Sequence, residues 1–199
     1  MKIALIVAII IIVLFIVFQT YTTMASEKSE TQPYKVVRIE KDYEIRFYPA
    51  TTMATITSSA KSYKELGSSG FNKLAGYIFG GNNEKKQIAM TSPVHMNIND
   101  SLSSMSFVMP SNYDKNNLPL PNNAEVKIET TNDEYVAAIR FGGFASDKDI
   151  TENKEKLENA LKANTISYYG HFRYLGYNPP YQLFGRRNEV IVSINWTLK

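Results

Sequence analysis

The chain has no cysteine among its 199 residues. That excludes disulfides, a thiolate nucleophile, cysteine-ligated zinc or haem and a thioether lipid anchor. Only two histidines are present, His95 and His171. Far apart in sequence and without a matched carboxylate, they do not make a metal site. His95 alternates with Val94 and Met96, and His171 shares a strand side with Arg173, so both are expected at a surface or interface. Long runs of like charge are missing too: 22 basic residues stand against 19 acidic ones, interleaved as in RIEKDYEIR and ENKEKLENALK. No stripe suited to a phosphate backbone results, and nucleic acid is not an expected partner. There is no glycine-rich phosphate cradle. Ser92 with either histidine lacks the nucleophile elbow, the orienting acid and the oxyanion motif of a hydrolase, so no enzyme activity is expected.

What is there begins with an oily run. Ile3 to Phe18 carry no polar side chain; as a helix they extend about 24 Å, just enough to span with Gln19 to Thr23 at the interface. Two readings stay open: an uncleaved single-pass anchor, or a signal segment cut near Thr23-Met24-Ala25 that leaves a secreted domain. Lys2 on the N-terminal flank favours that end in the cytoplasm and the domain outside it. Residues 1–25 are thus one unit, 26–33 (SEKSETQP) a polar tether, and 34–199 the folded domain.

Within that domain Tyr34 to Glu40 and Tyr43 to Tyr48 read as strands. YEIRFY alternates Tyr43, Ile45 and Phe47 against Glu44, Arg46 and Tyr48, the pattern of a half-buried strand, and TTMATIT (51–57) reads as its partner across Pro49-Ala50. Ser62 and Glu65 form a capping box for a helix with Leu66, Gly70, Leu74, Tyr77 and Ile78 near one side, stopped at Gly80-Gly81. Gly67 and Gly70 mark close packing on a sheet or room for a flat ligand. Gln87 to Met96 is extended, and Pro93 implies an edge or bulge. Met105 to Pro110 is a further strand, followed by a Pro- and Asn-rich surface loop. The second half retraces the first: strands at 125–130 and 134–141, a helix from about Asp147 to Ala163 capped by Ser146, and strands at 167–175 and 188–196. Glu152–Lys156 and Glu158–Lys162 are spaced as ion pairs on its wet face. The layout of QIAMTSPVHM returns about 80 residues later around YLGYNPP (174–180), so two β-α-β-β pseudo-repeats are the economical reading of this α+β chain.

YEIRFY (43–48), GFNKLAGYIFG (70–80), IAMTSPV (88–94), FVMPSNY (107–113), GYNPP (176–180) and RRNEV (186–190), in that order, resemble the SOUL haem-binding protein family over about Tyr34 to Leu198. The resemblance implies a distorted antiparallel β-barrel built from two halves with two flanking helices, similar to bacterial effector-binding domains that hold hydrophobic cations. It further implies non-covalent binding of haem or another porphyrin between the first domain helix and the GYNPP loop. The apolar surface would draw on Phe71, Leu74, Ala75 and Ile78 from the helix and Tyr174, Tyr177, Tyr181 and Leu183 from the loop. Lys64, Lys73, Arg186 and Arg187 are the propionate candidates; Arg186 and Arg187 equally suit bracing of the Glu189 strand. Some members carry a histidine, suspected as the axial ligand, where this chain has Phe47, so no strong axial ligand is expected. Basic residues of other members correspond here to Ser68, Gly76 and Gln182. The alternative function is a membrane-tethered domain holding a lipid, a hydrophobic cation or a protein segment.

Overall fold

The computed structural model describes residues 2–99 and 101–197. Helix α1 (Lys2–Lys28) contains the oily run, exposed all round, and continues through QTYTTMASEK. It is long and apolar enough to cross a membrane. Next come β1 (Lys35–Ile39), β2 (Glu44–Tyr48), β3 (Thr52–Ser58), α2 (Tyr63–Ile78), β4 (Val94–Asn97) and β5 (Ser103–Val108). The second half supplies β6 (Lys127–Thr130), β7 (Glu134–Phe141), α3 (Asp147–Ala163), β8 (Tyr168–Gly176) and β9 (Asn188–Ile194).

The strands form one antiparallel sheet, β1-β2-β7-β9-β8-β4-β5-β3-β6. It curls into a half-barrel, and among the described residues no pairing joins β6 back to β1. The distorted antiparallel β-barrel that the family resemblance implies is here a curled, open half-barrel. Both end strands are short, mostly exposed and carry Lys, Arg or Glu, a composition that resists further edge pairing. Exchanging β2 to β5 for β6 to β9 in order returns the same strand sequence read backward, without β1.

Strand alternation gives the sheet two different faces. The outer face, with Ile45, Ile56, Met96, Met105, Phe107, Ala137, Val190 and Val192, is covered by α2 over β3 to β5 and by α3 over β7 to β9. Gly70 is where α2 comes closest: a methyl there would stand 3.0 Å from Ile56 Cδ1 and 3.3 Å from Met105 Sδ. Its small size thus serves helix–sheet packing rather than space for a ring. Both helices start at the expected serines, but the reciprocal half of the expected box at Ser62 is replaced: Glu65 Oε2 accepts from Lys61 N–H at 3.0 Å. Ser62 Oγ accepts from Glu65 N–H, Ser146 and Asp149 form a full capping box, and Gly80 at φ +103° turns the chain out of α2. On α3 the Glu158–Lys162 pair forms, whereas Glu152 lies near Lys148.

Three expectations change. TTMATIT does not pair with β2; β3 lies between β5 and β6 in the other half of the sheet, because the Pro49-Ala50 turn carries the chain across. Pro93 marks neither an edge nor a bulge: it precedes β4, which pairs with both β5 and β8. Here the two segments likened in sequence are direct neighbours, Val94 opposite Gly176 and Met96 opposite Tyr174. Nor is 26–33 a free tether. Ser29 Oγ donates to Met90 O (3.1 Å), Ser92 N–H to Glu30 O (2.9 Å) and Gln32 N–H to Ser92 O (2.8 Å).

The inner face also buries polar groups, which overturns the expected half-buried β2 and surface His95. His171 is exposed as expected. His95 is 6% exposed, with Nε2 2.7 Å from Gln32 Oε1. Burial, aided by the Arg173 charge, lowers its pKa from 6.5 to about 3, so the folded protein holds the neutral ring. The unfolded chain then takes up a proton that the folded one refuses. Stability from this group is complete above about pH 6.5 and falls on acidification toward pH 3, by at most about 1.4 kcal/mol per pH unit. Urea unfolding of His95→Gln between pH 4 and 7 should show a slope shallower by that amount; an unchanged slope would show that His95 does not carry it.

Candidate binding rim at the end of the sheet

The loop 177–187, YNPPYQLFGRR, leaves the sheet where β8 ends and β9 begins. Its base is a buried charge cluster. Glu189, fully enclosed, accepts from Arg46 Nη1 (2.7 Å) and Nη2 (3.1 Å), from Arg187 Nη2 (2.8 Å) and from the Tyr177 hydroxyl (2.9 Å). Glu44 takes the remaining edge of Arg46 at 2.7 Å. Arg46 stacks over Tyr34 at 4.3 Å and Arg187 over Tyr177 at 3.9 Å. Burial alone would push the Glu189 carboxyl up; Arg46 and Arg187 more than offset this and hold it below the usual carboxylate range. Burial and the Glu189 charge push the Tyr177 phenol up, so it stays a donor.

Above this base the loop is folded on its own backbone. Arg186 Nη1 donates to the carbonyls of Pro179 and Gln182, both at 2.7 Å, while its guanidinium lies 4.4 Å from the Phe144 ring centre. Asn178 Oδ1 accepts from Arg187 N–H, and Gly185 adopts φ +63°. Four large apolar side chains are left facing outward: Tyr181 (56% exposed), Leu183 (40%), Phe184 (66%) and Phe144 (57%). Phe71 on α2, 38% exposed, rests on Phe107 at 5.3 Å. Phe107 pairs with Val94, which pairs with Gly176. Phe71 therefore lies over a strand two spacings, about 10 Å, from the point where the loop departs.

Helix α1 closes on the same loop. Gln19 Nε2 donates to Tyr181 O (3.2 Å) and its Oε1 accepts from Leu183 N–H (3.0 Å). Ser26 Oγ donates to Gln182 Oε1 at 2.7 Å, and the Phe18 and Tyr181 rings meet at 6.2 Å.

The anticipated site residues fall into three groups. Leu74, Ala75 and Ile78 are buried, Leu74 and Ile78 in the core beneath α2. Tyr174, Tyr177, Arg186 and Arg187 build the loop and its base: the Tyr174 hydroxyl donates to Asn188 Oδ1 at 2.7 Å, its ring meets Tyr63, and burial raises its pKa to about 12. Phe71, Tyr181, Leu183 and Lys64 are exposed, and Lys73 pairs with Glu125 at 2.9 Å. Sequence reasoning missed Phe144, Phe184 and Gln19. A phenylalanine flanked by glycine, as in GGF and FG, was the signal for the first two.

Elsewhere two inner-face hollows measure about 210 and 280 Å³. The first is lined by His95, Arg173, Thr55 and Ser106, the second by Gln32, Thr52, Thr91 and Val108. Both fall below the roughly 300–1,000 Å³ of small-molecule pockets. A tetrapyrrole has no enclosed place there.

A model of the SOUL heme-binding protein family matches residues 29–193. The chain belongs to that family. It is 31% identical to heme-binding protein 1 of Xenopus laevis over 161 residues, covering 76% of this chain and 84% of that protein. With heme-binding protein 2 of Mus musculus it shares 32% over 157 residues, 74% and 76% of the two chains. The fold is similar to the crystal structure of the EcmrR C-terminal domain (TM-score 0.58, 7% identity, 82% of this chain and 99% of that one). A crystal structure described as a hydrolase from Listeria innocua is also similar (TM-score 0.55, 7% identity, 80% and 94%). At such identity these two speak for the fold alone.

Against the SOUL resemblance two departures gain a physical setting. Phe47 sits on Tyr135 at 5.2 Å, six residues along β7 from Phe141 at the rim end, roughly 20 Å away. Gln182, where the resemblance implies a basic residue, spends its amide on Ser26, Asn178 and Phe184 O, joining α1 to the loop. The buried cluster gives a direct test. Glu189→Gln strips Arg46 and Arg187 of their counter-charge and should cost about 3–5 kcal/mol in denaturant unfolding, whereas Arg46→Met with Glu189→Leu should recover only part of it, because Arg187 still lacks a counter-charge. A loss below about 1 kcal/mol for the single change would mean that the cluster does not hold the loop.

Proposed function

We propose that this SOUL-family domain binds haem or a related tetrapyrrole non-covalently on the open rim formed by Phe71, Tyr181, Leu183, Phe184 and Phe144, without catalysis, while α1 holds it at a membrane. The single observation that carries the reading is the exposed aromatic rim in a chain whose relatives are named heme-binding proteins. A flat ring would lie against these side chains by its faces. Of the four propionate candidates, Lys64 makes no ion pair among the described residues and Lys73, half-buried, is paired with Glu125; Arg186 and Arg187 are engaged in the loop. Neither histidine is near at hand as an axial ligand: His95 is occupied by Gln32, and His171 lies on β8 five residues before Gly176. The two-fold strand order further supports descent from a duplicated β-α-β-β unit. For α1, the bonds from Gln19 to the loop, which a cut after Ala25 would remove, favour an uncleaved anchor over a cut signal.

Among alternative ligands, a hydrophobic cation would want an unpaired carboxylate, and Glu189 is saturated by two arginines. A lipid fits the rim better, and mass spectrometry of the protein purified from its native membrane separates a lipid from a tetrapyrrole.

Titration of the full chain in detergent with hemin and with an iron-free porphyrin tests the proposal. Both should bind with affinities within about threefold, since no strong iron ligand is at hand. Tyr181→Ala with Leu183→Ser should weaken both by about tenfold or more. Absence of a Soret shift and of porphyrin quenching at micromolar concentration would remove the reading.

A further inference from the structure

The rim lies at a definite level on α1. Phe18 is the last residue of the apolar run, and its ring touches Tyr181; Gln19, one residue or about 1.5 Å further along the axis, holds the backbone on both sides of Gln182. Beyond Gln19 the helix turns polar and runs about 14 Å alongside the domain to Lys28. The loop tip is therefore fixed where an inserted helix would leave the hydrocarbon.

We infer that the tip of the 177–187 loop, through Tyr181, Leu183 and Phe184, is a bilayer-inserting surface that turns the candidate rim onto the membrane face, where a ligand enters from the lipid rather than from water. This rests on the anchor reading of α1. The occupant is a lipid bilayer because the patch is continuous with a helix whose apolar residues are exposed all round, a surface that matches hydrocarbon. Its composition agrees: a tyrosine and a phenylalanine at the headgroup level, a second exposed tyrosine, Tyr21, one turn further along α1, and Arg186 stacked behind on Phe144. The clasp is specific to this level. Gln19 and Gln182 spend their amides on it, and Ser26 fixes the rotation of the helix against the loop. The domain is thus held in one orientation to the bilayer.

The test uses the full chain with its one tryptophan removed (Trp196→Phe) and a single probe introduced as Phe184→Trp, Tyr181→Trp or, at the opposite end of the sheet, Leu102→Trp. Each is reconstituted into phosphatidylcholine vesicles brominated near the top of the acyl chains. Trp at 184 and 181 should lose at least about half of its emission relative to unbrominated vesicles, and Trp at 102 almost none. Equal, weak quenching at all three positions, with the protein still retained by the vesicles in alkaline carbonate, would overturn the inference and leave the anchor standing. Release of the protein by carbonate would overturn both. Two rim probes guard against one substitution disturbing the loop.

Discussion

Everything at the candidate binding end of this molecule depends on one buried carboxylate. Glu189 on β9 is gripped by Arg46 from β2, by Arg187 from its own strand entry and by Tyr177 from the end of β8. Removing these charges from water is costly, and the arrangement is tolerable only because every one of them is paired. In return the two ends of the 177–187 loop are pinned to the middle of the sheet. A loop of this length with two prolines would otherwise sample many shapes. Pinned, it presents its apolar side chains in one place and offers a fixed backbone for Gln19 of α1 to grip. Helix α1, the loop and the rim are links of one chain that starts at the carboxylate.

The sheet explains why the rim is open rather than enclosed. Outer-face residues are consumed by α2 and α3, and Gly70 lets α2 settle so closely that no ring fits between helix and sheet. Inner-face residues are consumed by the charge clusters, by the Arg173–Glu134 pair and by His95. What remains for a large flat ligand is the edge where β8 and β9 meet the loops. An open edge binds through faces and gives up water on one side only, so the affinity expected there is moderate. Set against a bilayer, the same edge is covered on its free side.

Much of this was legible in the residues. Ser146 and the stripe Ile150, Leu157 and Leu161 placed α3 at its observed bounds, and the capping serine at 62 placed α2, because helix periodicity and caps are local signals. The run of motifs from YEIRFY to RRNEV sufficed for the family. Strand pairing was not legible: nothing local in TTMATIT says that its partner is the strand 103–108 rather than its neighbour across Pro49. The sheet's failure to close was equally hidden, being a property of end strands that lie far apart in sequence. At the candidate site, helical periodicity set Leu74 and Ile78 on the packed side of α2 and Phe71 beside it, as observed, whereas the resemblance had grouped all three on one surface. The clasp between α1 and the loop left no pattern, since Gln19, Ser26 and Gln182 look like ordinary polar residues until they meet. SEKSETQP read as a tether for the same reason.

Hydrogen exchange of the full chain in lipid nanodiscs, with and without an iron-free porphyrin, addresses the central claim most directly. Protection should appear at residues 181–185 and along α2 near Phe71, with the inner-face strands around His95 and Arg173 unchanged. Protection confined to those inner strands, with the loop unaffected, would contradict the account.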